Sequence, residues 1–321
     1  MSTYNQIFGG KVNAVSSNPS NPVKGQVWFN TTDAAMRYQS VTTSGAWASG
    51  GNLATARMVL GGTGTQTAGL AFGGEIGPAN STATEEYDGA SWAAGGNMAT
   101  ARFGLAGAGT QTSALGFGSS VSPQGLTEEY DGTSWTSGGN LGTARYSLGG
   151  AGTQTAALGF GGSLFPTIFT ATEEYDGTSW TAGGSLATAR TGLGGAGTQT
   201  AGLAFGGGPG TKSVTEEYDG TSWTSGGSLN TGRRELAGTG AQTAALAFGG
   251  NVGPPNSAAT EAYDGTSWSN QPSMATARNV LAGAGTQTAG LAFGGFSTAI
   301  TGATEEFTGA GAPVTKTVTA S

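Results

Sequence analysis

The chain has 321 residues, 62 of them Gly, with no Cys, no His and a formal net charge of −7 at pH 7. Without Cys there is no disulfide, thiolate nucleophile, iron–sulfur cluster or thiolate zinc site. Without His there is no imidazole base, Ser-His-Asp triad or His-bound metal. Asp, Glu, Tyr and Lys stay available for chemistry, but 12 basic residues against 19 acidic ones offer no footprint for a nucleic acid.

Leu, Ile, Val and Phe number 47 of 321. That fraction alone reads as disordered, yet the high charge that completes such a signature is missing. The opening Met-Ser-Thr-Tyr-Asn-Gln-Ile-Phe-Gly-Gly-Lys has no apolar core of signal-peptide length, and no run is long enough to cross a bilayer. The expectation is a soluble chain without membrane insertion or an export signal. Residues 1–24, rich in Asn, Ser and Pro, read as an extended arm, and residues 25–321 as one folded domain.

From residue 47 onward the chain repeats. Arg57, Arg102, Arg145, Arg190, Arg233 and Arg278 recur at intervals of 45, 43, 45, 43 and 45. A Trp precedes each Arg by ten residues, from Trp47 to Trp268, and a Gln follows each by nine, from Gln66 to Gln287. A Phe follows each by fifteen, from Phe72 to Phe293. Periods of this length mean stacked supersecondary units.

Each unit reads as four short strands. The first starts at the Arg and is small and Gly-rich (Arg57-Met-Val-Leu-Gly-Gly), as a crowded central position requires. A Gly-Thr-Gln-Thr turn leads to Ala68-Gly-Leu-Ala-Phe-Gly-Gly, whose alternation sets Ala68, Leu70 and Phe72 opposite Gly69, Ala71 and Gly73. The third strand carries Thr84-Glu-Glu-Tyr-Asp, and an Asp-Gly turn leads to Ser91-Trp92. A large face against a small one suits sheets stacked on copies of themselves. Four antiparallel strands repeated six times read as an all-β chain forming a β-propeller.

The order Arg, apolar-Gly-Gly, Tyr-Asp, Trp over residues 47–307 resembles the kelch repeat, with a Tyr-to-Trp interval of only five. Six Arg strands, six Phe-Gly strands, six Glu-rich third strands and six Trp strands match as the blades of a six-bladed, kelch-like propeller. Its last blade, begun by Arg278, would be completed by the strand of Trp47 in a 3+1 closure. Seven blades are the alternative, because Gln26–Ser40 and Val314–Ala320 offer further strands. Kelch-like propellers include binding modules and a copper oxidase; the oxidase ligands need His and Cys, so that activity cannot carry over. No cofactor and no metal site is expected.

Gly25-Gln-Val-Trp-Phe-Asn-Thr-Thr-Asp resembles a small hairpin of bacteriophage tail and fibre proteins. The tail Glu305-Glu-Phe-Thr-Gly-Ala-Gly-Ala-Pro-Val-Thr-Lys is similar to the ends of related phage propellers. These resemblances imply a virion location, with the N-terminal arm joined to other virion proteins.

Within the repeat only the Phe-to-Tyr interval varies, between 13 and 15 residues. Variable loops on a uniform scaffold are where recognition is grafted; drift in unconstrained loops is the alternative. The third loop carries Phe165, Ile168 and Phe169, which are costly to expose, and the fourth ends at Lys212. Arg57, Arg102, Arg145, Arg190, Arg233 and Arg278 form the second candidate. As a ring at the channel mouth they would hold a carboxylate, phosphate or sialic-type sugar; alternatively, each pairs with a Glu of a neighbouring blade. Glu pairs repeated in nearly every blade argue against an acid–base site, because an active site breaks symmetry. The expected function is non-enzymatic recognition of a host surface glycan or protein. A purely structural virion role and a glycan-active enzyme on the same fold are the alternatives.

Overall fold

The computed structural model describes residues 12–19, 24–41, 44–310 and 313–318, and all regular structure among them is β. The chain divides into residues 1–45 with 308–321, and residues 46–307.

In the first unit Asn13–Val15, Val27–Asn30, Ala35–Val41 and Pro313–Thr317 form one sheet in that order. The first pair is parallel and the others antiparallel. The expected hairpin after Gly25 is therefore present, and Trp28 within it is fully buried, donating from Nε1 to Asn18 Oδ1 at 3.2 Å. Two expectations change. Within residues 1–24 a strand forms at Asn13–Val15, while residues 1–11 and 20–23 lie outside the described ones. The unit boundary falls after Gly45 rather than at residue 24, because the strands near residues 26–41 and 313–317 pair with each other in a separate sheet.

The second unit contains six four-stranded antiparallel sheets, a β-propeller-like repeat fold. In the first sheet the strands run Gly61–Thr65, Ala68–Phe72, Thr84–Tyr87 and Trp92–Ala94. The sixth combines Ala282–Gly285, Ala289–Phe293 and Thr304–Thr308 with Ala46–Ser49 from the start of the unit. The innermost strands touch in succession, and Ala282–Gly285 contacts Gly61–Thr65 in turn. The inner strand does not begin at the Arg, as the sequence suggests, but four residues later, at Gly61 in the first repeat. Val59 breaks the extended run there, with a φ of +52°.

A sequence poor in large apolar residues forms a core here because each sheet packs on the next. The Phe72 ring lies so close to Gly107 and Gly116 of the second sheet that a Cβ at either would sit 2.9 Å from it. The Phe293 ring lies in the same way over Gly62 of the first sheet, at 2.6 Å. The predicted opposition of a large face to a small one is the packing observed. Each Trp reaches the preceding sheet, where it meets the Phe ring at centroid distances from 4.8 Å (Trp180–Phe117) to 5.3 Å (Trp47–Phe248). Its indole also donates to a Thr there: Trp135 to Thr84 at 2.8 Å, Trp92 to Thr304 at 2.9 Å and Trp47 to Thr260 at 3.0 Å. Each Gln likewise donates to two carbonyls of the preceding sheet, as Gln111 does to Gly69 and Tyr87. Gln66 reaches Gly290 and Phe307 of the sixth.

A further tie joins the Tyr of each third strand to the second Glu of the preceding sheet. Tyr130 donates to Glu86 and Tyr218 to Glu174, both at 2.6 Å, and Tyr87 donates to Glu306 of the sixth sheet. At one junction the tie is replaced. The sixth sheet has Phe307 where the others have Tyr, and the fifth has Ala262 where its neighbours have Glu. Phe307 and Ala262 pack in one apolar cluster with Trp47. W47A removes an indole that bridges two sheets and is expected to cost about 3 kcal/mol, read from chemical denaturation.

Burial and the Glu acceptor push the phenols of Tyr87, Tyr130, Tyr218 and Tyr263 up to about 12, with Tyr175 raised further by the same causes. Unfolded phenols lose their protons near about pH 10. Between that pH and the folded value the unfolded state binds fewer protons, so stability falls as pH rises. Denaturation midpoints followed from pH 9 upward are expected to hold to about pH 10 and then decline steeply towards 12; a flat profile would contradict these phenol environments.

Candidate functional site

The six arginines are fully buried. Arg57 donates from one guanidinium nitrogen to the carbonyls of Gly73 and Ala83, at 2.9 and 2.6 Å, and from the other to Glu85 at 2.9 Å. The equivalent ion pairs Arg102–Glu128, Arg145–Glu173, Arg190–Glu216, Arg233–Glu261 and Arg278–Glu305 span 2.8 to 3.2 Å. Each Glu lies on the third strand of the arginine's own repeat and not in a neighbouring one. The Arg sits before its inner strand, turned back over the end of the same sheet. The free oxygen of each carboxylate accepts backbone N–H groups of the incoming connection, as Glu85 does from Ala54 at 2.6 Å. Burial lowers every one of these guanidinium pKa values, and the paired Glu offsets part of that. The groups are engaged by carboxylate and carbonyl oxygens rather than displayed around a mouth where an anion would meet them.

The two residues after each Arg are less buried: Arg234 is exposed, Gly104 is buried and the rest are half-buried. The first is Met58, Phe103, Tyr146, Thr191, Arg234 or Asn279, and the second is Val59, Gly104, Ser147, Gly192, Glu235 or Val280. The residues of the second set all have positive φ, from +48° at Val280 to +71° at Gly104. They hydrogen-bond head to tail. Val280 N–H donates to Glu235 carbonyl, Glu235 to Gly192, Gly192 to Ser147, Ser147 to Gly104, Gly104 to Val59 and Val59 back to Val280, at 2.6 to 3.0 Å. This collar of six main-chain bonds holds Val59, Ser147, Glu235 and Val280 in a conformation that residues other than Gly avoid. Inside it lies a cavity of about 120 Å³, lined by the collar residues and by Leu60, Leu105, Leu148, Leu193, Leu236 and Leu281.

The variable loops meet the collar at the same end of the sheets. Met58 bridges to Glu75, Tyr146 to Ser163, Thr191 to Gly208, Arg234 to Asn251 and Asn279 to Phe296. Of the residues singled out in the sequence, Phe165 is 88% exposed at the tip of a two-residue-strand hairpin, Ser163–Leu164 with Thr167–Ile168. Ile168, Phe169 and Lys212 are half-buried around their loops. Ile76 and Phe296, 43% and 36% exposed, lie in the first and sixth loops. In the 46–307 unit these three, Ile76, Phe165 and Phe296, are the exposed large apolar side chains among the described residues.

Four charged residues of that unit stand outside the repeated set: Glu75, Lys212, Arg234 and Glu235. All four belong to this end, where their charges cancel. The opposite end carries near-identical turns, in which Asp131 and its counterparts accept N–H bonds from the two residues that precede the Trp. Sequence reasoning misses the pair of variable positions behind each Arg. The signal there is a scatter in residue type next to an invariant Arg, without any change of spacing.

No family model and no curated protein matches the chain. The fold itself defines a β-propeller-like repeat protein with one uniform end and one varied end. Because the arginines are buried and paired, R190A should cost about 3–5 kcal/mol by leaving Glu216 uncompensated, whereas R190M combined with E216L should cost clearly less. Urea unfolding of both variants checks this; equal losses would overturn the ion-pair account.

Proposed function

We propose that residues 46–307 form a six-bladed, kelch-like propeller closed 3+1 by Ala46–Ser49. We propose further that it works as a non-enzymatic recognition module of a bacteriophage tail or fibre. In this reading the varied end contacts a host surface glycan or protein, and the N-terminal arm joins the module to other virion proteins. The six-fold count is supported by the collar, the Trp–Thr bonds and the Gln–carbonyl bonds. Each has six members, and each includes a link between the first and sixth sheets or between the fifth sheet and Trp47.

One observation carries the functional reading. Every non-repeated charge and every exposed large apolar side chain described in the 46–307 unit falls at one end of an otherwise repetitive scaffold. Drift alone has no reason to place costly exposed side chains such as Phe165 there. Shallow sites of this kind act through many weak contacts, which favours avidity on a repetitive surface.

The test is saturable binding of the purified chain to whole bacterial cells and to a broad glycan array. It is repeated with the other five Phe-to-Tyr loops replaced by the sequence of the second. Binding lost in the uniform variant, with the fold intact by circular dichroism, is the expected result. Unaltered binding would reject the varied end, and absence of any saturable binding would leave the structural virion role. Turnover of a bound glycan would point to the enzyme.

A further inference from the structure

Sixteen of the nineteen acidic residues belong to the repeated Glu-Glu-Tyr-Asp positions; Glu235 is one of the three that do not. It occupies the collar position at a φ of +56°, where the second and fourth repeats use Gly. A charged residue held in a conformation that favours Gly is the kind of local strain that collects at functional sites.

Its surroundings are polar and incompletely satisfied. The Cγ of Glu235 lies over Gly192, where a Cβ would approach it to 3.3 Å. One carboxylate oxygen accepts from Asn279 Nδ2 at 2.7 Å, and the other is 3.9 Å from Arg234 Nε. Asn279 Oδ1 is buried with no hydrogen-bond partner. The Asn279 backbone exchanges hydrogen bonds with that of Phe296, a 36% exposed residue, at 3.0 and 2.9 Å. Asn256 Nδ2 anchors the same segment by donating to the Phe296 carbonyl at 3.0 Å.

We infer that this seam between the fifth and sixth sheets is a sugar subsite, taking the vicinal hydroxyls of an uncharged hexopyranose whose ring lies against Phe296. The inference rests on the reading of the varied end as a recognition face. Glu235 Oε1 accepts one hydroxyl hydrogen, the exposed Arg234 donates to the neighbouring hydroxyl oxygen, and Asn279 Nδ2 holds the carboxylate in place. A neutral ligand follows from the charges, since Glu235 repels a sugar carboxylate and the four non-repeated charges of this end sum to zero.

The probes are the methyl glycosides of glucose, galactose and mannose, with glucuronic acid and N-acetylneuraminic acid as anionic controls. Binding to the full chain is followed by saturation-transfer NMR and titration. At least one neutral glycoside should bind and neither acid should. E235Q and N279A should weaken binding by about tenfold or more, and T136A, at an exposed position after Trp135, should leave it unchanged. E235G should abolish binding with a melting temperature no lower than that of the parent, because Gly suits the collar conformation. Full binding by E235Q, or equal binding of the acids, would overturn the subsite. So would the absence of any monosaccharide binding. Loop-dependent binding to cells that survives E235Q would also overturn it while leaving the recognition face in place; loss of both would remove the two together.

Discussion

The contact between a Phe ring of one sheet and the bare backbone of a Gly in the next sets the spacing of the 46–307 unit. The ring of Phe293 sits where a Cβ on Gly62 would be, as Phe205 does over Gly238. A sheet of this composition cannot bury two faces by itself, and the close approach that Gly permits lets a modest set of Phe, Leu and Trp side chains form continuous clusters between sheets. The polar ties depend on that spacing. Trp–Thr, Gln–carbonyl and Tyr–Glu bonds all cross the same gap, and each closes only because the sheets are near enough. Buried Arg–Glu pairs then fix the connections within each repeat. Apolar contacts supply the bulk of the burial, and the polar ones restrict register.

Much of this is legible in the sequence alone. The invariant spacing of Trp, Arg, Gln and Phe announces repeated units, the Phe72 alternation announces a large face against a small one, and Asp-Gly before Ser-Trp announces the hairpin. Trp47, lying one interval before the first Arg, is enough to assign it to the sheet begun by Arg278. Other features are hidden for physical reasons. The start of the inner strand escapes because a left-handed residue such as Val59 leaves no composition signal; Val is a strand former by propensity. The Arg partner lies in the arginine's own sheet and not the neighbouring one, since spacing gives separation along the chain and not the direction in which a side chain folds back. The pair of residues behind each Arg looks like scatter, because one sequence does not distinguish an adapted position from a neutral one.

The two ends of the scaffold answer to different demands. Turns such as that of Asp131 are repeated almost without change because their geometry is self-contained: an Asp oxygen satisfies two N–H groups, and Gly132, with a φ of +91°, supplies the bend. At the other end the collar fixes the main chain of six residues through bonds that make no demand on side chains. Side chains there are free to differ, and they range from Gly to Val to Glu. A main-chain collar is thus a support on which chemistry varies without cost to the sheets beneath.

The junction between Phe307 and Ala262 gives the repeats an order. Elsewhere a Tyr hydroxyl meets a Glu carboxylate, and any two such repeats present the same contact surfaces. The fifth repeat offers no carboxylate to its successor and the sixth brings no hydroxyl, so they suit one another and no other neighbour equally well. Moving the sixth repeat beside the second would set Phe307 against Glu129 and bury a carboxylate without its donor, while Ala262 would leave the hydroxyl of any other successor without an acceptor. The substitutions therefore act as a matched key within a nearly uniform set. A rearrangement that preserves the cyclic succession keeps every tie, whereas an exchange, loss or duplication involving these two repeats breaks one. Among near-identical repeats, these two substitutions act as a molecular memory of which repeat belongs next to which.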